Sequence, residues 1–365
     1  MVIRGAGLRR NLERIRTSVG PGVRLLPMVK ADAYGTGLAG AVQALATTDA
    51  WGFGVAAVEE GIALRALGIV RPVIVLSPVP PGSVAAAMAA DLEVAISSFE
   101  TLDLMASSAA GRRPAFHLEV DTGMGRAGFD WRQAAAWGPR AHQARAAGLR
   151  WAGCFTHLHS ADESRPSVDE QWRRFQEALT VAGRPAGDFL VHALNSAGAM
   201  RCPEYAADLV RPGIFLYGGS VGVGLPLPEE VASVHARVVH VRSAPPGTTV
   251  GYGATYRSGG EERWATVAMG YGDGLPRVLG NRGHALVRGQ HVPIVGRISM
   301  DVTVVDITHV QGVVPGDVAT FIGSDGSQRI TLDEVAAMAG TISYEILTGF
   351  TPRVRRIWTE DRVGP

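Results

Sequence analysis

Short apolar runs recur eight times in the first part of this chain, and segments with helical periodicity lie between most of them. The runs are apolar throughout rather than alternating, which is typical of strands buried on both faces of a sheet. This rhythm predicts an α/β fold with mainly parallel strands. The eight runs are Arg24–Lys30, Trp51–Val55, Pro72–Ser77, Glu93–Ser97, Ala115–Asp121, Trp151–His157, Phe189–Ser196 and Ala207–Pro212.

Eight strands alternating with helices over roughly 200–250 residues fit a (β/α)8 barrel. A doubly wound open sheet is the competing architecture. No G-x-G-x-x-G motif follows the first run, which weakens a dinucleotide-binding version of that sheet. The helical candidates include Leu8–Val19, Val58–Leu67, Trp131–Ala147 and Val168–Ala182.

The rhythm changes at Gly218–Pro228, a stretch rich in Gly and Pro that we interpret as a linker. We therefore predict a TIM-type barrel over residues 1–225, whose first few residues can pack on the second domain, and a mostly-β domain over residues 226–365. A short helix is expected near Leu332–Ala339. The β-type runs are Ala236–Arg242, Trp264–Gly270, Ala285–Val287, Val292–Val295, Val302–Ile307 and Val318–Ile322.

Lys30 is the only lysine in the chain, whereas the other basic side chains among the 35 Lys and Arg residues are all arginine. An arginine can replace a surface lysine, but it cannot supply a primary amine that loses a proton or bonds to a carbonyl. Codon bias explains why lysine is scarce. It does not explain why the one lysine closes the first predicted strand.

Overall composition excludes several classes of function. The formal net charge of +1 gives no basic face for nucleic acid, and no apolar run is long enough to cross a membrane. Two cysteines, Cys154 and Cys202, are too few for a disulfide scaffold or a Cys-rich metal site, so we expect no metal. We expect the protein to be cytoplasmic.

Polar residues close several of the apolar runs, and catalytic groups of a (β/α)8 barrel belong at the carboxyl ends of its strands. Each residue has an ordinary structural interpretation as a core histidine, a helix N-cap, a turn or an ion pair. The functional interpretation gains because all of them would face one barrel mouth together with the sole lysine. They are Lys30, Glu119, Asp121, Arg126, His157, Asn195, Ser196 and Arg211.

The loops after strands seven and eight form the usual phosphate site of such barrels. Ser196 offers a hydroxyl there, and Gly213 and Ile214 offer backbone N–H groups. A phosphate site opposite a lone amine suggests pyridoxal phosphate, whose aldehyde reacts with lysine. On spacing alone, a class I aldolase that uses lysine without a cofactor stays open.

Nine collinear motifs resemble alanine racemases, and they cover nearly the whole chain. The segment around Lys30 is similar to the cofactor-lysine signature of that family. The motifs are Pro27–Gly37, Asp121–Arg126, Phe155–His157, Asn195–Ser196, Val210–Gly218, Gly251–Tyr256, Gly270–Gly274, Gly296–Asp301 and Tyr344–Ile346.

The resemblance implies a barrel plus a C-terminal β domain, pyridoxal phosphate, and a homodimer with shared active sites that makes D-alanine for peptidoglycan. It implies that Lys30 bonds to the cofactor aldehyde and that Arg211, buttressed by His157, donates to the pyridine nitrogen. Arg126 would meet the substrate carboxylate. The phosphate would be held by Tyr34, Ser196, Gly213, Ile214 and Tyr344, with Asn195 among the cofactor residues. The partner subunit would supply Tyr252, Tyr271, Met300 and Asp301.

Racemisation needs an acid/base group on each face of the substrate Cα. The resemblance assigns Lys30 to the face where the D-isomer carries its proton and Tyr252 to the opposite face. Tyrosine has an ordinary pKa of about 10, so it needs cationic neighbours to act as a base. An arginine at the pyridine nitrogen would keep its own proton and so limit side reactions.

The chain departs from the family pattern in two places. Glu119 stands where the family commonly has a carbamylated lysine paired with the arginine at the Arg126 position, so a native carboxylate would replace the carbamate. Only Met1–Gly5 could serve as the family's opening strand. The alternatives are a racemase of another small amino acid such as serine, an amino-acid decarboxylase of the same fold type, and a non-catalytic pyridoxal phosphate protein.

Overall fold

The computed structural model describes residues 1–109 and 111–360. In its first part the elements are β1 (Val2–Arg4), α1 (Gly5–Val19), β2 (Arg24–Leu25), α2 (Lys30–Tyr34), α3 (Leu38–Ala46), β3 (Phe53–Val55), α4 (Val58–Ala66), β4 (Val73–Val75), α5 (Val84–Ala89), β5 (Glu93–Ile96), α6 (Phe99–Ser108), β6 (Ala115–Asp121), β7 (Phe129–Asp130), α7 (Ala134–Ala146), β8 (Arg150–Phe155), α8 (Arg165–Ala182), β9 (Leu190–His192), α9 (Ser196–Arg201) and β10 (Leu209–Val210). In its second part they are β11 (Ala232–Ala244), β12 (Thr249–Val250), β13 (Tyr256–Arg257), β14 (Glu262–Val267), β15 (His284–Val287), β16 (Gln290–Pro293), β17 (Thr303–Asp306), β18 (Val318–Asp325), β19 (Gln328–Ile330), α10 (Leu332–Ala339), α11 (Ser343–Gly349) and β20 (Ile357–Thr359).

Eight parallel strands close into a ring. Strands β3, β4, β5, β6, β8 and β9 pair in that order, and β10 pairs with β2. Two isolated parallel bridges join these sheets, one between Met28 and Gly54 and one between Asn195 and Arg211. The predicted (β/α)8 barrel is therefore confirmed, and the open doubly wound sheet is wrong. Each barrel strand lies within or beside one of the eight apolar runs.

The strands are shorter than the runs that predicted them. The first run, Arg24–Lys30, contains only the two-residue strand β2, because Pro27 has no N–H for a ladder hydrogen bond. Beyond β2 the chain still follows its neighbours, since Met28 N–H donates to Pro212 O and Val29 N–H to Gly54 O, each at 2.8 Å. Lys30 is thereby carried to the carboxyl end of the barrel.

The outer helices pack on the barrel through one apolar face. In α1 the side chains of Leu8, Leu12 and Ile15 lie on one face and are at most 2% exposed. Burial of each such side chain stabilises the fold by roughly 1.5–3 kcal/mol. In α8, Val168 and Phe175 are buried in the same way, while Arg173 on the opposite face pairs with Glu170 and Glu177.

The second domain is built on one large sheet with the order β16-β15-β18-β11-β1-β20. Three further strands belong to it: β14 pairs with β11, β17 pairs with β14, and β19 pairs with β18. Strand β1, from the start of the chain, pairs antiparallel with β11 and parallel with β20. The first residues of the chain thus belong to the sheet of the second domain. The six β-type runs lie at β11, β14, β15, β16, β17 and β18, and the predicted short helix is α10.

The end of the second domain packs against the segment that follows Lys30. Arg356 Nε donates to Gly35 O at 3.0 Å, and Trp358 Nε1 donates to Thr36 O at 3.1 Å. Leu347 O lies so close to Gly35 that a Cβ there would overlap it. The C-terminal domain therefore supports the loop that carries the lysine. In the described part of the chain, no helix combines the length and the apolar character that a membrane crossing requires.

Candidate active site

A cavity of about 290 Å³ lies at the carboxyl ends of the barrel strands. This volume is at the lower end of the range for small-molecule sites. Ten residues predicted from the sequence line it, although they come from six separate segments of the chain. They are Lys30, Tyr34, Arg126, His157, Asn195, Ser196, Arg211, Gly213, Ile214 and Tyr344.

Lys30 reaches the cavity because the chain reverses sharply behind it. The four residues Ala31–Tyr34 all have φ between 52° and 55°, so α2 is a left-handed turn made entirely of non-glycine residues. A left-handed conformation costs about 1–2 kcal/mol per non-glycine residue, so the surrounding structure must stabilise this turn.

Two carboxylates, one on a later helix and one within the turn, provide that stabilisation. Glu60 Oε1 accepts the Ala31 N–H at 2.6 Å, and its other oxygen accepts the N–H groups of Ala56 and Ala57. Asp32 Oδ1 accepts the Leu38 N–H at 2.7 Å. Together with the contacts of the C-terminal domain, these bonds fix the direction in which the Lys30 amine leaves the backbone.

The environment of Lys30 favours a neutral amine. Burial of its ammonium lowers the pKa, and the cations Arg126 and Arg211 lower it further, while Glu60 opposes them. The neutral amine therefore persists at a lower pH than on an exposed lysine. A neutral amine is the form that attacks an aldehyde or accepts a proton.

Arg211 is buried at the base of the cavity with only 4% exposure. Its Nη2 donates to Thr156 O at 2.8 Å and to Ala193 O at 3.1 Å, and its Nη1 faces His192 Nδ1 at 2.8 Å. Burial lowers the pKa of the guanidinium to about 10, so it remains charged at neutral pH. Within residues 1–109 and 111–360 its Nε has no hydrogen-bond partner, so the Nε–H group is available to a ligand in the cavity.

His157 is a weaker neighbour of Arg211 than the sequence suggests. Its Nδ1 lies 3.5 Å from Arg211 Nη2, at the limit of a hydrogen bond, whereas His192 makes the shorter contact. Burial, followed by the charges of Arg211, Arg126 and Lys30, lowers the pKa of His157 to about 3. His157 is therefore neutral, and its carbonyl is held by Gln171 Nε2 at 3.0 Å.

The other end of the cavity, called here the phosphate cradle, is lined by hydroxyl groups and by a glycine backbone. Its residues are Tyr34, Ser196, Gly213, Ile214 and Tyr344. Ser196 Oγ accepts the Gly213 N–H at 2.7 Å. Tyr34 lies so close to Gly213 that a Cβ on residue 213 would overlap its hydroxyl, so only glycine fits there. Tyr34 stacks on Tyr217 at 4.7 Å between ring centroids, and the tilted ring of Tyr344 lies 6.1 Å from it. Asn195 caps α9 by accepting the Gly198 N–H, and it also lines the cavity.

These residues fit pyridoxal phosphate. The cradle has no carboxylate among its lining residues, and burial raises the pKa of Tyr34 and raises that of Tyr344 to about 12, so both keep a donating hydroxyl. Arg211 offers a permanent donor for a ring nitrogen, and Lys30 offers the amine. The two guanidinium groups that line the cavity, those of Arg126 and Arg211, suit a ligand with several negative charges.

Glu119 is buried beside the cavity, but its hydrogen-bond donor is Ser97, whose Oγ lies 2.6 Å from Glu119 Oε2. Burial raises the pKa of Glu119, against the opposing effects of Ser97, Arg126 and Arg211. Arg126 follows a loop shaped by Asp121, whose carboxylate accepts the N–H groups of Gly123 and Gly125. Glu119 and Arg126 thus interact through charge, and the structure shows no ion-pair contact between these two residues.

Four predicted site residues lie outside the cavity, on exposed loops of the C-terminal domain. Tyr252 is 68% exposed, Met300 52% and Tyr271 39%. Asp301 is held by Arg353, whose Nη2 lies 2.8 Å from its Oδ1 and whose Nε lies 3.2 Å from Asp273. Within one chain, the structure does not bring these residues to Lys30.

Sequence reasoning missed three polar residues inside the barrel: Glu93, His117 and His192. His117 Nε2 lies 2.7 Å from Glu93 Oε2, and His117 Nδ1 lies 3.0 Å from His192 Nε2. All three lie in apolar runs that predicted strands, and they were counted as strand residues rather than as candidate site residues. The available signal was that His117 and Glu119 alternate on β6, so both side chains point to the barrel interior. No cluster suited to a metal ion occurs among the described residues.

Comparisons with known proteins agree with this geometry. A family model described as alanine racemase, N-terminal domain, matches residues 3–221, and one described as alanine racemase, C-terminal domain, matches residues 231–358. A Syntrophobacter fumaroxidans protein named alanine racemase is 35% identical over 347 residues, which cover 93% of this chain and 92% of that protein.

Two solved structures are similar over almost the whole chain. The crystal structure of alanine racemase from D-cycloserine-producing Streptomyces lavendulae has a TM-score of 0.93 and 32% identity, and covers 98% of this chain and 96% of that one. The crystal structure of alanine racemase from Bacillus anthracis with bound L-Ala-P has a TM-score of 0.90 and 32% identity, and covers 98% and 94%.

The environment of Lys30 leads to a prediction about pH. In the cofactor-free protein, the pKa of the Lys30 amine should lie below that of a free lysine side chain, because burial, Arg126 and Arg211 disfavour the ammonium. Protein labelled with 15N-lysine gives a single side-chain signal, which can be followed as the pH is raised. Arg126→Met should move the midpoint upward, while the exposed Arg355→Met should not. A Lys30 midpoint at or above that of free lysine would contradict this account.

Proposed function

The chain belongs to the alanine racemase family, and from this premise we propose the roles that its own residues take in the interconversion of L- and D-alanine. The activity is that of an amino-acid racemase, an isomerase dependent on pyridoxal phosphate. The observation that carries the residue assignments is the convergence of the only lysine and a buried, permanently charged arginine on one cavity.

When bound, pyridoxal phosphate supplies an aldehyde that takes up the substrate amine and a ring that draws electrons from the Cα–H bond. Tyr34, Ser196, Gly213, Ile214 and Tyr344 would hold its phosphate. Arg211 would donate its Nε–H to the ring nitrogen. Because a guanidinium does not give up its proton at neutral pH, Arg211 would leave the ring nitrogen unprotonated and so would limit side reactions such as transamination.

Lys30 is proposed as the acid/base on one face of the substrate Cα, where the D-isomer carries its proton. Its lowered pKa supports this role, because the neutral amine that accepts a proton is then available at a lower pH than on an exposed lysine. The left-handed turn directs the amine at a fixed point of the cavity, which is the requirement for proton transfer at one face only.

Tyr252 is proposed as the acid/base on the opposite face, supplied by the partner subunit of a homodimer. Three loops of the C-terminal domain support this. Tyr271 N–H donates to Ser299 O at 3.0 Å and Gly272 N–H to Met300 O at 2.8 Å, while Gly251 packs against Arg297. The loops therefore form one surface with exposed Tyr252, Tyr271 and Met300, and exposed patches of this kind mark interfaces.

Arg126 is proposed to meet the substrate carboxylate, with Asp301 and Met300 of the partner subunit completing that side of the pocket. Glu119 would supply the negative charge that keeps the arginine side chains in place. Because burial raises the pKa of Glu119, this charge is lost at a higher pH than the charge of an exposed glutamate. His157 would support Arg211 as a neutral acceptor.

The alternatives are weakened by different observations. A barrel-only pyridoxal phosphate protein would not need the domain that matches over residues 231–358. An aldolase without a cofactor would not need the phosphate cradle. We also propose that the protein works in the cytoplasm, where its two free, buried cysteines would stay reduced.

Chirality provides the direct test of activity. Purified protein loaded with pyridoxal phosphate should convert L-alanine into D-alanine until both isomers are equal, and it should act more slowly on L-serine because the cavity is small. Chiral chromatography of the products measures both rates. Formation of no D-isomer from either substrate would reject the racemase activity, and faster turnover of serine would change the assigned substrate.

A second experiment tests the shared sites. Neither Lys30→Ala nor Tyr252→Phe protein should have substantial activity alone. In hybrid dimers, the intact Lys30 of one chain meets the intact Tyr252 of the other, so random mixing should restore about one quarter of the sites. Subunit exchange is verified with two affinity tags. No recovery after proven exchange would show that the sites are not shared.

A third experiment tests Glu119. Because a carboxylate is already present, removal of carbon dioxide and later addition of bicarbonate should leave the activity unchanged. Glu119→Lys should make the activity bicarbonate-dependent, since a lysine there needs carbamylation to carry a negative charge. Bicarbonate rescue of the unaltered, carbon-dioxide-depleted protein would argue against this role.

A further inference from the structure

Glu93 is a buried carboxylate that the proposed reaction does not use. It begins β5, at the amino end of the barrel, whereas the cavity lies at the carboxyl ends, and it is only 8% exposed. Arg150, at the start of β8, donates to Glu93 Oε1 at 2.6 Å and is half-exposed. A hydrogen-bonded series of side chains runs from this ion pair through the barrel interior to the active site.

The series, called here the core network, consists of Arg150, Glu93, His117, His192 and Arg211. His117 Nε2 lies 2.7 Å from Glu93 Oε2, and His117 Nδ1 lies 3.0 Å from His192 Nε2. His192 Nδ1 then lies 2.8 Å from Arg211 Nη1. Both histidines are fully buried, with 0% exposure. Each contact is short enough for a hydrogen bond.

The end at Arg211 determines the tautomer of His192. A guanidinium can only donate, so His192 Nδ1 must accept and carries no proton. The single proton of neutral His192 is therefore on Nε2, from which it can only be donated to His117 Nδ1. His117 Nδ1 must then accept, which places the proton of neutral His117 on Nε2.

The end at Glu93 independently requires the same arrangement. A carboxylate can only accept, so His117 Nε2 must carry a proton, as the argument from Arg211 also concludes. Protonation of either ring at both nitrogens would bring two donors together at one contact. The opposite tautomers would end in a donor facing Arg211. One arrangement of protons therefore satisfies every contact, and in it each hydrogen bond between Arg211 and Glu93 is donated in the direction of Glu93.

The electrostatic surroundings maintain this arrangement. Despite burial, the hydrogen bonds from His117 and Arg150 and the charge of Arg150 hold the pKa of Glu93 well below its ordinary value, so it remains an acceptor. Burial, with the charge of Arg211, lowers the pKa of His192 far below its ordinary value, so it stays neutral. The fold also makes room for the rings, since a Cβ on Gly153 would lie 2.5 Å from His117 Nδ1.

We propose that Glu93 and His117 are positioning residues of the active site, which hold His192 as the acceptor that orients the guanidinium of Arg211. The proposal rests on the proposed function, in which Arg211 donates to the cofactor. Glu93 acts by presenting an acceptor to His117. Without it, His117 can turn its proton to Nδ1, His192 then has to donate towards Arg211, and the guanidinium loses the contact that sets its direction.

The tautomers can be measured without substrate or turnover. In 15N-histidine-labelled protein, two-bond proton–nitrogen correlations distinguish a protonated from an unprotonated ring nitrogen. At neutral pH, with and without cofactor, His117 and His192 should both carry one proton on Nε2. His117→Gln and His192→Gln proteins assign the signals. A proton on Nδ1 of either ring, or a doubly protonated ring, would overturn the proposal.

Two variants of Glu93 distinguish the effect of its hydrogen-bond acceptor from the effects of its size and its charge. Glu93→Gln keeps an oxygen for His117 while Arg150 turns to solvent, so the tautomers should be retained and kcat should stay within about threefold of the unaltered protein. Glu93→Met removes the acceptor at similar size. It should lower kcat by about tenfold with KM changed by less than about twofold, as loss of an outer-shell partner typically does.

The control for Glu93→Gln is the same change at an exposed loop residue, Glu261→Gln. This variant should alter neither kcat nor the tautomers. Unchanged kcat in folded Glu93→Met protein, or equal losses in both Glu93 variants, would reject the proposal. If Glu93→Met does not fold, the proposal is judged by two other measurements, the tautomers of the unaltered protein and the kcat of Glu93→Gln. These results are distinct from failure of the proposed function, in which the unaltered protein itself would not racemise alanine.

Discussion

A guanidinium buried at the mouth of the barrel is the constraint on which the rest of the site depends. Arg211 is almost inaccessible to solvent, and a buried charge costs several kcal/mol unless it is well hydrogen-bonded. Its acceptors come from the ends of two strands, the carbonyls of Thr156 and Ala193 and the ring of His192. Hydrogen bonds to charged groups contribute about 1.5–3 kcal/mol each, so this set is of the size needed to offset the burial. The carboxyl ends of β8, β9 and β10 are thereby held in one relative arrangement, and the cavity takes its shape from them.

Lys30 is positioned in a different way from Arg211. A strained backbone turn sets its direction, whereas Arg211 is fixed by the hydrogen bonds of its own side chain. Four consecutive residues in the left-handed region would not hold their conformation alone. They are stabilised by Glu60 from the barrel and by Arg356 and Trp358 from the C-terminal domain. The second domain therefore has two functions in this account. It supports the lysine of its own chain, and its exposed loops carry the residues assigned to the partner's site.

The architecture could be predicted from the sequence because parallel strands buried on both faces leave uninterrupted apolar runs. Strand ends were less predictable, since Pro27 removes a ladder donor and yet the chain continues in register through Met28 and Val29. The left-handed turn gave no local signal, because Ala31–Tyr34 contains no glycine and its conformation is imposed by distant residues. Glu93, His117 and His192 were hidden for a related reason: their hydrogen-bond partners lie on other strands, so each stands as a single polar residue in an otherwise apolar run. The residues on the second domain were assigned only by resemblance, because their proposed neighbours belong to another subunit.

The distribution of lysine and arginine follows from the same physics. Burial lowers the pKa of any cation, and at Arg211 it does so from a starting value high enough that the side chain stays charged. The same fall in pKa for a lysine at this position would bring the pKa of its ammonium towards neutral pH. The group would then lack its proton for part of the time, and the ring nitrogen would lose its donor. At Lys30 that outcome is the useful one, because the amine must exist in both protonation states. Burial thus acts on both basic side chains of the cavity, and the chain uses an arginine where the proton must stay and its only lysine where the proton must move.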